Sequence, residues 1–441
     1  MKHLQKIKRV FLTLFVVMCS AVGWAYTFEH EGIYYYVLSN SANTVAVTYK
    51  STSYNSYSGD VKIPEYVEYG GKEYKVTEIF QRAFQQSSNL TSVSIPKTVC
   101  LIDKDAFYGC TKLKEVRFED SDETLSLSYC YYSFNNGMYA GSAYGSLFVS
   151  CPLETLYLGR NISYDLDKSD KNPFKKKTKL KNVTIGKYVT SLGDMAFNGC
   201  TSLENIYFHS NPTIGADAIP STATCHLILD DSNMIDFNTT NSNTYSDVSY
   251  TRIISERRYG TIMLPFAPNT ASLENYAFYA LAESGDGYMR FEEVTTPVAN
   301  VPYIYTLRDG KENVAITGGE TLISSNIVTP EVDGWQTVGS FSNQTIDTSN
   351  GNYYALSATD NEINRITKNL TVFPYRAYFK SSNASKSALS IYISGTTGVK
   401  EISSSEIDGF ENGGIFDLSG RKITEPTKGN IYIKNGKKIM F

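Results

Sequence analysis

A frame of apolar positions returns every 23 residues in the first half of the chain. Phe84 and Phe107 are 23 residues apart, and Phe174 and Phe197 repeat that spacing. Further apolar residues follow each Phe at the same three distances, and they are Leu90, Val93, Ile95, Leu113, Val116, Phe118, Leu180, Val183, Ile185, Leu203, Ile206 and Phe208. A fixed period of this length indicates a solenoid, in which each short unit buries its apolar face against its neighbours.

Each repeat unit predicts one strand and one short helical turn. Its last residues alternate as Leu-x-x-Val-x-Ile, which is the period of a strand, and Pro96 ends one such strand because proline cannot donate to a ladder. Pairs such as Ala83-Phe84 and Ala106-Phe107 are expected on a short helical turn opposite the strand. A fifth copy surrounds Phe148, and a truncated sixth copy runs from Ile219 through Leu227 and Leu229.

The repeated residues also carry a resemblance to a known family. Ile-Pro-x-x-Val followed by Ile and then by Ala-Phe-x-x-Cys-x-x-Leu resembles the leucine-rich repeat of BspA-like surface proteins. The resemblance covers about residues 26–250, where it implies a leucine-rich-repeat solenoid with terminal caps. It is specific for the fold and poorly specific for a ligand. One spacing departs from the pattern, since Phe107 and Phe148 are 41 residues apart, and the insertion holds Tyr129, Tyr131, Tyr132, Phe134, Tyr139 and Tyr144.

The second half of the chain loses the period. Short alternating strands separated by Gly, Asn and Pro turns predict a separate, sandwich-like all-β domain over residues 251–395. Residues 396–413 are rich in Ser, Glu and Gly and are expected to form a linker. Residues 414–441 predict a short β tail, which resembles the C-terminal sorting domain of the type IX secretion route.

The first 25 residues predict a signal peptide. Basic residues precede the apolar run from Val10 to Met18, and Gly23-Trp24-Ala25 supplies a small-x-small cleavage site. The apolar run is shorter than the roughly 20 residues that a spanning helix needs, and no longer run follows. We therefore expect a mature protein without a transmembrane segment that is secreted or lies on the cell surface, associated with the outer membrane.

The net charge of the chain argues against nucleic acid as a partner. The formal net charge of −4 gives no strong field to collect nucleic acid, and the basic run from Lys175 to Lys177 is expected to be a solvated turn.

Export would permit disulfides between the cysteines of the mature chain. One repeat position is however shared by Cys110, Cys151 and Cys200, which favours buried free thiols. The state of Cys100, Cys130 and Cys225 stays open.

The sequence offers little to catalysis or metal binding. The mature chain has only His30, His209 and His226, and no nucleophile elbow or paired Cys-x-x-Cys spacing occurs. We read an acidic cluster as turn residues and not as calcium ligands; it consists of Asp230, Asp231, Asn233 and Asp236. We therefore expect no enzyme activity, no catalytic residue, no metal and no cofactor.

The repeats do offer an outward strand face. In the pattern Leu-x-x-Val-x-Ile, the third and fifth residues lie between the buried positions and point outward. The third residues are Ser92, Glu115, Thr155, Asn182 and Asn205, and the fifth residues are Ser94, Arg117, Tyr157, Thr184 and Tyr207. We predict a binding or adhesion protein whose partner is an extracellular protein or matrix ligand. The candidate ligand-binding residues are Glu115, Arg117, Tyr157, Tyr207 and His209, with the insertion closing over one end of the face.

Three other interpretations stay open. The outward residues are equally explained as ordinary polar strand residues that keep the protein soluble. The chain is alternatively a structural component of a surface layer without a discrete ligand. A third possibility is glycan binding by aromatic residues of the all-β domain, although aromatics in alternating strands more often pack a core; these residues are Tyr303, Tyr305, Trp335, Tyr353 and Tyr354.

Overall fold

The computed structural model describes residues 26–51, 54–127, 146–163, 172–232, 243–253, 259–308, 313–323, 326–357, 362–382, 386–394, 415–416, 422–423, 431–434 and 437–440. Two compact units divide the chain: the first holds residues 1–205 and 214–223, and the second holds residues 206–213 and 224–441. The predicted signal peptide, the Tyr-rich insertion at residues 129–144 and the linker at 396–413 lie outside the described residues. No helix in the described ranges is long and apolar enough to cross a membrane.

The first unit is built from strands and turns. Its strands are β1 (Phe28–His30), β2 (Ile33–Ser39), β3 (Thr44–Thr48), β4 (Ser58–Lys62), β5 (Tyr66–Tyr69), β6 (Lys72–Ile79), β7 (Asn89–Ile95), β8 (Leu101–Ile102), β9 (Glu115–Phe118), β10 (Leu125–Leu127), β11 (Thr155–Leu158), β12 (Ile162–Ser163), β13 (Asn182–Ile185) and β14 (Ser191–Leu192). The next strands in the chain are β15 (Asn205–Phe208) and β16 (Thr213–Ile214), each with residues assigned to both units.

Two larger sheets hold the strands of the first unit except β14, which pairs with β16. In one sheet the order is β1-β2-β3-β6-β8-β10-β12, with β5 paired to β6. In the other, which we call the repeat sheet, β4, β7, β9, β11 and β13 pair in that order, and every pair is parallel. The repeat sheet carries the strands that the 23-residue period predicts.

The predicted frame of buried positions is confirmed. The column Leu90, Leu113, Leu180 and Leu203 is at most 1% exposed. The Phe side chains stack in repeat order, with ring centroids 4.9 Å apart between Phe84 and Phe107 and 5.4 Å apart between Phe107 and Phe148. Aromatic and aliphatic side chains therefore fill the same layer in successive repeats, so that each repeat completes the core of the next repeat.

The predicted helical turn in each repeat is wrong. Around Phe84 the backbone forms separate four-residue turns, because Arg82 and Gln86 adopt left-handed φ angles of 63° and 56°. A right-handed helix cannot pass through two left-handed residues that are four positions apart. The N–H of Phe84 instead donates to the carbonyl oxygen of Ala106 in the next repeat, over 2.8 Å. A 3-10 turn occurs at Ser146–Phe148.

The shared cysteine position holds buried free thiols, as predicted. Each thiol donates to the carbonyl oxygen of the Phe in the preceding repeat: Cys110 to Phe84 over 3.0 Å, Cys151 to Phe107 over 3.1 Å and Cys200 to Phe174 over 3.1 Å. Cys100 and Cys225 are also free, and Cys130 lies outside the described residues.

Lys177 occupies the cysteine position of its own repeat. Its Nζ donates to the carbonyl oxygen of Phe148 over 2.5 Å, so a lysine takes the place of the thiol donor. Burial lowers the pKa of Lys177. The prediction that Lys177 belongs to a solvated turn is wrong, because its ammonium group reaches into the stack for this carbonyl.

The second unit is also rich in strands, as predicted for the second half of the chain. Its elements are β17 (Thr224–Asp230), β18 (Thr244–Tyr245), β19 (Asp247–Ile253), β20 (Tyr259–Met263), α1 (Thr270–Asn275), β21 (Tyr276–Gly285), β22 (Tyr288–Val294), β23 (Pro302–Leu307), β24 (Asn313–Gly318), β25 (Thr321–Leu322), β26 (Glu331–Val332), β27 (Trp335–Ser340), β28 (Gln344–Ile346), β29 (Asn352–Leu356), β30 (Glu362–Arg365), β31 (Leu370–Val372), β32 (Arg376–Ser381), β33 (Ala388–Ser394), β34 (Ile415–Phe416), β35 (Lys422–Ile423), β36 (Ile431–Lys434) and β37 (Lys437–Met440).

A ten-stranded sheet dominates the second unit, in the order β20-β23-β21-β22-β33-β30-β29-β32-β27-β26. Next to it in the chain, β17 pairs in parallel with β19, which pairs in antiparallel fashion with β24. The predicted β tail consists of β34 to β37, which form a four-stranded sheet of their own.

Arg252, on β19, is buried and bonds to several segments of the second unit. Only 4% of the residue is exposed. Its Nε donates to the Tyr250 hydroxyl over 2.8 Å, and its two terminal nitrogens donate to the carbonyl oxygens of Thr261 and Tyr375 over 3.1 and 3.0 Å. Asp231 lies 3.3 Å from Nε, so the buried charge has a carboxylate partner.

Candidate functional site

The outward residues of the repeat sheet form two rows. Cα pairing aligns the first set, which we call the third-position row, as Asp60, Ser92, Glu115, Thr155 and Asn182. It aligns the second set, the fifth-position row, as Lys62, Ser94, Arg117, Tyr157 and Thr184. The predicted outward register of these strands is confirmed. Strand β4 extends both rows by one member that the period did not reveal.

Arg117 and Tyr157 form the most ordered contact on this face. The Arg117 guanidinium lies over the Tyr157 ring, 3.7 Å from the ring centroid. The Tyr157 hydroxyl donates to the carboxylate of Asp120, whose two oxygens are 3.0 and 3.1 Å away. Burial raises the pKa of Tyr157, and the Asp120 charge adds to that shift. The ring is therefore held between a cation and a carboxylate, in a half-buried position.

Asp120 is a residue that the outward pattern missed. It follows β9 and does not belong to either row, so no alternation along the strand singles it out. Its role becomes visible only because the stacking of β9 and β11 brings the loop after β9 next to the Tyr157 hydroxyl.

Glu115 is exposed and precedes Arg117 by two residues, so both side chains leave the same face of β9. An ion pair lies beside Glu115, between Lys114 Nζ and Glu154 Oε1 at 2.9 Å. The hydrogen bond from Lys114 lowers the pKa of Glu154. Lys114 and Glu154, which directly precede β9 and β11, are thus paired with each other, and Glu115 is not part of that pair.

Tyr207 and His209 belong to the second unit. The Tyr207 ring stacks on the ring of His226, with centroids 4.9 Å apart. The His226 Nδ1 atom lies 2.8 Å from Oδ2 of Asp247. His209 follows β15 and is half-buried. Sequence reasoning did not place His226 and Asp247 beside Tyr207, because the sixth copy that holds His226 is truncated and Asp247 lies beyond the repeats.

Four of the five aromatic residues considered for glycan binding pack inside the second unit, and Tyr353 is half-buried. Tyr303, Tyr305, Trp335 and Tyr354 are between 0% and 7% exposed. The Trp335 and Tyr354 rings meet edge to face, with centroids 4.9 Å apart, in one core cluster with Phe379. These four rings leave no open face on which a sugar could stack.

The residues considered for metal binding have other contacts. Asp231 accepts a hydrogen bond from Tyr250 over 2.6 Å and pairs with Arg376 at 2.8 Å. Asn233 and Asp236 lie outside the described residues. Within the described ranges, no group of three or more His, Cys, Asp or Glu side chains is placed to hold a metal ion.

Comparison with known proteins identifies the repeat. Residues 77–139 and 138–228 match the family model of the BspA type leucine-rich repeat region, in six copies. The matched residues are similar to this repeat region over a narrower range than the predicted 26–250. Proteins with this repeat are typically bacterial surface or secreted proteins. The comparison with curated proteins gives no match.

Solved structures of bacterial leucine-rich-repeat proteins are similar to part of the chain. The T. pallidum leucine-rich repeat protein is 20% identical with a TM-score of 0.27, over 44% of this chain and 91% of that one. A leucine rich cell surface protein from Faecalibacterium prausnitzii is 21% identical with a TM-score of 0.27, over 52% of this chain and 60% of that one. A leucine-rich repeat protein from Bacteroides ovatus is 19% identical with a TM-score of 0.21, over 46% of this chain and 71% of that one.

Proposed function

We propose that this chain is a secreted or cell-surface binding protein whose repeat sheet binds a protein or host-matrix ligand. The observation that carries the proposal is the cluster of Arg117, Tyr157 and Asp120 on an outward strand face. Arg and Tyr are enriched among residues that dominate binding energies. We further propose that the chain acts by binding and not by catalysis, since its sequence carries no nucleophile and base motif.

The geometry of the cluster supports this role. Asp120 fixes the Tyr157 hydroxyl and Arg117 covers one side of the ring, so the aromatic contact area is ordered before a partner arrives. A side chain that is already ordered loses less conformational freedom on binding than a free one. Arg117 and Glu115 are both exposed, and we propose that their charges set the orientation of the partner.

The size of the face indicates how tightly one copy binds. Strands β4, β7, β9, β11 and β13 span four intervals of about 4.8 Å, which gives roughly 19 Å across the rows. That width accommodates an extended peptide or one helix. Because stable interfaces usually bury about 800 Å² on each partner, we expect weak binding by single copies and stronger binding by many copies on a surface.

Delivery to the surface is part of the proposal. Residues 1–25 are proposed to direct export, and the β tail at 414–441 is proposed to act as a sorting signal of the type IX kind. The support for the tail role is the sequence resemblance, together with the separate four-stranded sheet of β34 to β37. Surface exposure is expected to fall when residues 396–441 are deleted. Unchanged exposure of the deletion variant would leave the tail a purely structural sheet.

A capture experiment tests the binding role. The mature protein is used to recover partners from host and bacterial surface extracts, and the binding of a recovered partner is then titrated. We expect large losses for a variant that combines Glu115→Ala, Arg117→Ala, Tyr157→Ala and Tyr207→Ala. The matched control alters exposed residues of similar type away from both rows, by combining Glu73→Ala, Lys72→Ala, Tyr66→Ala and Tyr188→Ala.

Two outcomes would contradict the proposal. Full binding by the folded quadruple variant would make the strand face a scaffold and would move the site elsewhere in the chain. Failure to recover any partner would favour the alternative of a surface-layer component without a discrete ligand. Circular dichroism and thermal unfolding of each variant check that folding is intact.

A further inference from the structure

Two rows of opposite charge run side by side along the repeat sheet. The third-position row carries the carboxylates of Asp60 and Glu115, and the fifth-position row carries the cationic groups of Lys62 and Arg117. Each row has one charge on β4 and one on β9. All four residues are exposed, and the strand between them contributes only the short side chains of Ser92 and Ser94.

These four charges are left for a partner. Within the described part of the chain, none of them forms an ion pair, whereas Lys97 and Glu65 nearby are paired at 3.2 Å. Asp60 accepts hydrogen bonds from the hydroxyl groups of Thr91 and Ser92, each over 2.7 Å, which fix its carboxylate on the face. Arg117 is likewise fixed, by the Tyr157 ring beneath it.

The spacing of the rows makes the face complementary to itself. Within one strand, residues two positions apart are about 6.6 Å apart, and β4 and β9 are about 9.6 Å apart across β7. A two-fold axis that runs parallel to the rows, midway between them, places the acidic row of one copy over the basic row of another. Each strand then meets its own equivalent, so that Asp60 faces Lys62 and Glu115 faces Arg117, in both directions.

We propose that the repeat sheet pairs face to face with the repeat sheet of a second copy of this chain, so that the protein binds homophilically. This inference rests on the proposed function, because it names the partner of the same strand face. Four reciprocal ion pairs orient the two copies, and the Ser92 and Ser94 side chains are short enough to let the faces approach. The small face implies weak pairing that becomes effective when many copies are displayed together.

The test uses beads that are coated with the full mature protein and scored for aggregation at low ionic strength. Glu115→Lys gives a face with an excess of positive charge, and Arg117→Glu gives a face with an excess of negative charge. Beads of either variant alone are expected to aggregate roughly tenfold less than wild type, because like charges then oppose each other across the interface. A mixture of the two kinds of bead is expected to aggregate again.

A double variant and a control complete the design. Glu115→Lys combined with Arg117→Glu exchanges the two charges and is expected to aggregate with itself. Lys72→Glu and Glu73→Lys reverse exposed charges on β6, in the other sheet, and are expected to leave aggregation unchanged. Raised salt should weaken wild-type aggregation, since exposed charges are screened.

The outcomes separate this inference from the proposed function. Wild-type beads that do not aggregate would overturn homophilic pairing, and capture of another protein through Arg117 and Tyr157 would then still support the proposed function. Aggregation that the two single variants do not change would place self-association on another surface and overturn the inference. Loss in both variants without recovery in the mixture would overturn the proposed pairing of the rows.

Discussion

The repeat sheet of the first unit and the ten-stranded sheet of the second unit use their two faces differently. In β9 burial alternates strictly, so that Val116 and Phe118 are buried while Glu115 and Arg117 are exposed. In β21 the first four residues, Tyr276 to Tyr279, are all buried, and in β23 the residues from Pro302 to Tyr305 are as well. A strand buried on both sides is interior to its unit. Among these three strands, β9 keeps an outward face for a partner, whereas β21 and β23 do not over these residues.

The largest expected effect tests the interior role of the second sheet. Trp335→Ala should lower the free energy of unfolding by about 3 to 5 kcal/mol, because the ring is buried against Tyr354. Thermal unfolding is followed by circular dichroism and not by tryptophan fluorescence. Trp335 is the only tryptophan outside the predicted signal peptide, and the variant removes it. Trp335→Phe, which keeps a ring in place, is the control and should cost less. A folded Trp335→Ala protein of unchanged stability that had lost binding to glycans would contradict the interior role.

The next effect tests the stacking of the repeats. Leu113→Ala or Leu180→Ala should each cost roughly 2 to 5 kcal/mol, because both side chains are fully buried in the column that joins the repeats. Urea unfolding of each variant measures the change. Leu322→Ala is the control, since that side chain is 59% exposed. Losses below about 1 kcal/mol at both Leu113 and Leu180 would mean that the column does not carry the packing.

The contrast between the repeat sheet and the ten-stranded sheet explains which features could be predicted from the sequence. In the repeat sheet, one strand pattern recurs at a fixed period, so the buried column through Leu113 and the outward places of Glu115 and Arg117 followed from spacing alone. The second unit has no period, and strands such as β21 and β23 bury consecutive residues, so neither the strand order nor the neighbours of Trp335 could be read from alternation. Of the predicted separate, sandwich-like all-β domain, a sheet-rich region is what the structure confirms.

Within the repeats, the sequence did not predict the features that depend on packing between residues distant in the chain. Arg82 and Gln86 adopt left-handed φ angles, and neither residue type announces that conformation as a glycine would. Lys177 resembled part of a solvated basic run, but its repeat position places Nζ on the Phe148 carbonyl. Asp120 and Tyr157 meet only because two repeats stack, so their contact is invisible within either repeat alone.

A smaller effect separates binding from stability on the outward face. Arg117→Ala should weaken binding of a recovered partner about tenfold or more, as expected for an exposed anchor residue. Its effect on the free energy of unfolding should stay within about 1 kcal/mol, because Arg117 is exposed. Titration and thermal unfolding of the same preparation give both values. Thr184→Ala, in the same row, is the control for a general effect of the row. Equal losses of binding in both variants would contradict a central role of Arg117.

The smallest effect concerns pH and the buried Lys177. Its folded-state pKa is lowered by burial, so the unfolded chain holds the lysine proton more tightly than the folded chain does. Stability that depends on Lys177 should therefore rise with pH between the lowered folded pKa and the unfolded value near 10.4, and should fall as pH decreases through that window. Lys177→Ser removes the titration and keeps a hydroxyl donor.

Unfolding free energies of the two proteins, compared across that window, check the sign. Cys151 and Cys200 interact electrostatically with Lys177, so both proteins also carry Cys151→Ser and Cys200→Ser to remove the charges of these thiols. The protein that retains Lys177 should gain stability relative to the Lys177→Ser variant as pH rises. Lys179→Ser, at an exposed lysine, is the matched control for loss of a lysine charge. A difference for Lys177 that stayed flat, or that shrank as pH rose, would mean that its ammonium group is solvated and that the thiol position tolerates a lysine only by turning it outward.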